Sequence, residues 1–116
     1  MTEKNKMITK IIQERALKNP TKVAFLEGSE SMTYEAFYSH AKNLAGSLQK
    51  KGVRGKCIAV HLTNSIDLAI TYTAIFMSGG IAVPIDMNLK SGEREYILEQ
   101  SQAFFTIDVS YPIRTK

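Results

Sequence analysis

Apolar and polar positions along the chain mark out its elements in turn. In residues 7–18, Ile8, Ile11, Ile12 and Leu17 fall near one side of a helix. Pro20 after Asn19 stops it, because the residue before a proline is pushed out of helical geometry. Val23-Ala24-Phe25-Leu26 is a short apolar run that reads as a strand. Gly28-Ser29-Glu30-Ser31 supplies a turn, and Met32-Thr33-Tyr34 reads as the return strand of a small hairpin.

The clearest helical pattern spans 34–51, where Phe37, Ala41, Leu44, Ala45 and Leu48 recur on one face. Thr33 suits its N-cap, Glu35 faces the positive end of the helix dipole, and Gly52 follows the last turn. Ile58-Ala59-Val60-His61-Leu62 is almost wholly apolar, as in a parallel strand covered on both faces. Thr63-Asn64-Ser65 offers cap residues for a helix at 66–78. That segment is apolar nearly all round, which implies burial between layers, and Gly79-Gly80 ends it.

Ile81-Ala82-Val83-Pro84-Ile85 predicts another strand. Pro84 lacks an N–H, so it belongs at a strand end or an edge. Ser91 can cap a short helix at about 92–101, and Phe104-Phe105-Thr106-Ile107 predicts the last strand. Residues 108–116 show no pattern and are expected to be a loop or a truncated end. The order α-ββ-α-β-α-β-α-β predicts one α/β piece over 1–116: a layered, largely parallel sheet with flanking helices and an N-terminal hairpin.

Composition narrows the function classes. The 116 residues are 44% hydrophobic and 22% charged, ordinary values for a globular chain, so extended disorder and fibrous structure are excluded. The net charge of +4 is local. Residues 1–22 hold six basic side chains (Lys4, Lys6, Lys10, Arg15, Lys18 and Lys22) against Glu3 and Glu14, and the rest of the chain balances. No aromatic residues alternate with these lysines to stack bases, so a solvated helix face is expected and a nucleic-acid partner is not. No apolar run approaches the roughly 18 residues of a membrane span, and the N-terminus lacks the apolar core of a secretory signal. The single cysteine, Cys57, forms no internal disulfide; a reducing cytoplasm is the expected location.

Catalytic constellations are missing from the sequence. The seven glycines make neither GxGxxG nor GxxxxGK[ST], and no serine sits in GxSxG. His40 and His61 lack the companions of a metal site, so no metal is expected. Cys57 and His61, four apart on a strand, would be roughly 13 Å from each other and unable to share a proton. Met77 and Met87 read as gap-fillers.

Four stretches in order carry a resemblance. Asn19-Pro-Thr-Lys-Val-Ala-Phe25, Met32-Thr-Tyr-Glu-Ala-Phe37, Gly52-Val-Arg-Gly-Lys-Cys-Ile-Ala-Val60 with Thr63-Asn-Ser65, and Phe76-Met-Ser-Gly-Gly-Ile-Ala-Val-Pro-Ile-Asp86 resemble the N-terminal part of the adenylate-forming (AMP-binding) ligase superfamily. That group includes acyl-CoA synthetases, nonribosomal peptide synthetase adenylation domains and luciferases. Two departures are visible: Ala36 stands where the first motif has Glu, and Ser78-Gly79 replaces Lys-Ala. Both motifs are scaffold in the family.

The resemblance implies a ligase that adenylates a carboxylic acid with ATP and Mg²⁺ and passes the acyl group to coenzyme A or a carrier thiol. The family's phosphate loop and catalytic lysine lie beyond the region matched, so no catalytic or nucleotide-binding residue carries over. The expected role is a non-catalytic N-terminal fragment whose partner is the remainder of the ligase domain, with open strand edges prone to self-association. Val-Pro-Ile-Asp is the wording of amino-acid-activating members, while Thr-Asn-Ser before a buried helix is closer to acyl-CoA synthetases, which are slightly preferred. The alternatives are a stand-alone α/β module that binds a ligand at its strand ends, and a protein-interaction relative that pairs with a full ligase through its open sheet edge. The module's candidate ligand residues are Thr63, Asn64, Ser65, Asp86 and Asn88.

Overall fold

The structure, a computed structural model, describes residues 3–90 and 92–114. Helix α1 (Glu3–Lys18) leads into a hairpin of β1 (Val23–Glu27) and β2 (Glu30–Thr33). Helix α2 (Tyr34–Lys50), strand β3 (Cys57–Val60), helix α3 (Ile66–Ser78) and strand β4 (Ile81–Pro84) follow. Helix α4 (Glu93–Ser101) and strand β5 (Phe105–Ile107) complete it.

The hairpin is tighter than its sequence suggests. Glu27 pairs with Glu30, so only Gly28 and Ser29 form the loop, with Gly28 at φ +59°. A positive φ at the first loop residue matches the twist of two-residue hairpins and favours glycine. The return strand therefore begins at Glu30, and Tyr34 already belongs to α2.

Thr33 caps α2, accepting the Ala36 N–H at 3.2 Å. Phe37, Ala41, Leu44, Ala45 and Leu48 are all buried, as the helical spacing predicts. Helix α1 is a correction. Ile8 and Ile12 are half-buried and Ala16 is buried, whereas Ile11 and Leu17 point to solvent. The inward positions are spaced i, i+4, i+8; Ile11 and Leu17 lie well off that line.

The sheet order is β4-β3-β5, all parallel. Ile58, Val60 and Ile107 share one face and are buried with Leu48, Val53, Ile66, Ile70 and Ile75 in a single core. Cys57, Ala59, Ile81, Val83 and Thr106 share the other face, because side chains alternate along a strand. Pro84 closes β4, at the end of an edge strand. Gly79, at φ +81°, ends α3 in left-handed geometry, and Gly80 lets the chain pass close to Ile58 and Ile75. The Ser91 cap lies outside the described residues. Gly92 occupies the N-cap of α4, and its N–H is 3.4 Å from the Glu95 carboxylate.

Candidate functional site

Because the three strands run parallel, their C-terminal ends emerge on one side. The ladder continues past them: the His61 N–H donates to Ile107 O and the Ile85 N–H to Val60 O, each at 2.9 Å. Beyond β3 and β5 lies a cleft of about 530 Å³ between the exits of these strands, the hairpin and the start of α3. Glu27, Thr63, Ser65, Asp67, Tyr111 and Arg114 supply its polar lining.

The five strand-end residues divide. Thr63 and Ser65 line the cleft. Ser65 is the N-cap of α3: its Oγ accepts the Leu68 N–H at 3.1 Å and donates to Thr63 O at 3.0 Å. Asn64 is exposed and does not line the cleft. Asp86 and Asn88 follow β4, on the far side of β3 from β5, where Asp86 Oδ1 accepts the Asn88 N–H at 2.8 Å in a local turn. The structure thus brings together two of the five.

The charged residues around the cleft come from segments distant in sequence. Glu27 Oε1 accepts the Ile66 N–H at 2.9 Å, so a carboxylate sits where the helix dipole favours it. Arg114 reaches Asp67 through Nε at 2.6 Å and Glu30 through both Nη atoms, at 2.5 and 3.2 Å. These hydrogen bonds with Arg114 hold the Glu30 carboxyl below its ordinary value, and Glu30 in turn raises the Arg114 guanidinium. Burial pushes the Tyr111 hydroxyl up. Nothing in the local sequence signals Glu27 or Arg114 as partners of α3, since their contacts span 39 and 47 positions.

These contacts tie the hairpin and the segment around Arg114 to α3. At the start of α3 the Ile66 N–H is taken by Glu27 and the Leu68 N–H by Ser65, and Arg114 is engaged by two carboxylates. Among the described residues, no group of three His, Cys, Asp or Glu side chains is gathered to hold a metal ion. His40 is half-buried on α2, and His61 follows β3. No helix among the described residues is long and apolar enough to cross a membrane.

A family model described as "AMP-binding enzyme" matches residues 12–114. Bacitracin synthase 2 of Bacillus licheniformis is 31% identical over 114 residues, covering 97% of this chain and 4% of that protein. Gramicidin S synthase 1 of Brevibacillus brevis is 33% identical over 101 residues, 86% of this chain and 9% of that protein. The N-terminal subdomain of Klebsiella oxytoca NpsA, in complex with anthranilyl-AMSN, matches with a TM-score of 0.79 at 24% identity. It covers 86% of this chain and 27% of the other, and shows likeness of fold alone. O-succinylbenzoate coenzyme A synthetase (MenE) from Bacillus subtilis, in complex with AMP, matches with a TM-score of 0.76 at 25% identity, over 86% of this chain and 27% of its own. The chain therefore spans under a tenth of these two synthases and about a quarter of the two solved chains.

Proposed function

Because the chain belongs to the AMP-binding enzyme family, as an N-terminal piece of the adenylate-forming ligase superfamily, we propose that it is a non-catalytic scaffold. Its parent would be an ATP-dependent ligase that adenylates a carboxylic acid and hands the acyl group to coenzyme A or a carrier thiol. The family implies the use of ATP. The likeness to a coenzyme A synthetase supports the first acceptor, and the likeness to bacitracin and gramicidin synthases supports an amino-acid substrate with the second.

The observation that carries the scaffold reading is the open sheet. Among the described residues, no strand lies beside the outer edges of β4 and β5. Ile81 on β4 is 51% exposed and Phe104, just before β5, is 47% exposed. Exposed apolar surface of this kind marks an interface or an aggregation hazard. The remainder of a ligase domain would cover it, and in its absence copies of the chain would associate through the same edges. A reducing cytoplasm fits the lone, half-buried Cys57. Residues 108–114, without helix or strand, would connect onward.

A second reading has one observation in its favour: Thr63 and Ser65 line a cleft large enough for a small ligand. An antibody raised against the chain separates the two in the cells of origin. The scaffold reading expects a band several times larger than 13.0 kDa. A band at 13.0 kDa would contradict it and favour a small binding module.

A further inference from the structure

The outer side of α1 carries a composition that the fold does not use. Ile8, Ile12 and Ala16 face inward, and α1 packs against α2 and α3. At about 3.6 residues per turn, Met7, Ile11, Glu14 and Lys18 align in one stripe turned away from that inward line. Lys10 and Leu17 flank that stripe on one side and Arg15 on the other. Met7, Ile11 and Leu17 are 64%, 50% and 75% exposed, and all four charged residues are exposed. Single exposed apolar residues are ordinary; three on one helix arc among three cations form a patch. The family match begins at residue 12, so Met7, Lys10 and Ile11 precede it.

We propose that this face docks an acidic protein helix that presents its own apolar stripe. Charge selects the occupant. Lys10, Arg15 and Lys18 outnumber Glu14, so a second copy of the same face would be repelled. An anionic lipid surface would welcome the cations but press Glu14, at the middle of the stripe, against like charge. A partner helix can place a lysine or arginine there and glutamates opposite the cations. Apolar anchors at positions 7 and 11, with Leu17 beside them, suit a helix laid along α1. The proposal does not depend on the ligase reading.

The test uses the full chain and a labelled helical peptide with leucines on one stripe, glutamates flanking it and one central arginine. A peptide of scrambled order and vesicles of phosphatidylcholine with phosphatidylserine are the controls. The expected result is saturable binding of the ordered peptide, weakened by salt, with Leu17→Gln and Lys18→Glu each raising Kd about tenfold. Both positions are exposed, and unchanged thermal melting verifies that each variant folds; Lys10→Glu replaces either one that does not. Equal binding of the scrambled peptide, binding indifferent to the variants, no saturable binding, or binding to vesicles instead would overturn the proposal.

Discussion

Glu27 Oε1 accepts the backbone N–H of Ile66 at 2.9 Å, so the last residue of β1 satisfies a donor at the first residue of α3. Besides the packing of Met32 into the core and of Phe25 against it, the hairpin is tied to the main layers by side-chain bonds rather than by strand pairing. Replacing Glu27 by Ala leaves that donor without its partner. The expected loss is about 1 kcal/mol, as for other helix N-terminal acceptors. Glu27→Gln keeps an acceptor oxygen and should lose less. Urea denaturation reads both; an Ala variant with an unchanged midpoint would refute this role.

Arg114 joins Glu30 and Asp67 at the same corner, and acid should loosen it. The Glu30 carboxyl is held below its ordinary value of 4.5, chiefly by its hydrogen bonds with Arg114. A depressed folded value contributes stability above the unfolded value and loses it as pH falls through the folded one. The melting temperature should therefore decline below about pH 4.5, and Arg114→Gln should flatten that part of the profile. These groups are partly exposed, so salt should weaken the effect as well. An identical acid limb in the variant would contradict the coupling.

Two glycines in or beside helices predict opposite outcomes. A Cβ at Gly46, inside α2, meets nothing within 4 Å, so Gly46→Ala should stabilise the chain by about 0.5–1 kcal/mol. A Cβ at Gly80 would lie 3.1 Å from Ile58 Cδ1 and 3.2 Å from Ile75 Cγ2, both core side chains. Gly80→Ala should destabilise, since a packed core yields little. Thermal melting of the two variants checks the contrast, and shifts of the same sign would break it.

Thr71 is fully buried on α3, and its Oγ1 finds no hydrogen-bond partner among the described residues. Valine has nearly the same shape without the unsatisfied hydroxyl. Thr71→Val should gain about 1 kcal/mol in chemical denaturation. A loss of stability would mean that the hydroxyl is satisfied in solution.

Most of the scaffold is legible in the sequence because it rests on local and periodic signals. The spacing of Phe37 to Leu48 marks the buried face of α2, Thr33 and Ser65 mark two caps, and the apolar run at 58–60 marks the central parallel strand. Pro84 falls at the end of an edge strand, where a missing donor costs nothing. The misassigned positions lie where periodicity is weak. Alanine at 16 gives little hydrophobic signal yet is buried, while the larger Ile11 and Leu17 face out. The cleft was legible only at Thr63 and Ser65. Its ionic corner depends on Glu30 and Arg114, 84 positions apart, and ion pairing over that separation leaves no pattern in either segment. The four motif stretches between Asn19 and Asp86 already resemble the family that the match over residues 12–114 shows, although no catalytic constellation in the sequence points to it.

On the proposed reading, these 116 residues support an adenylating ligase without performing its chemistry. ATP–pyrophosphate exchange tests it most directly, with the purified chain, Mg²⁺, and panels of amino acids and other carboxylic acids. The expected result is exchange no greater than without protein for every acid. Acid-dependent exchange above that level would show that the chain adenylates on its own and would contradict the account.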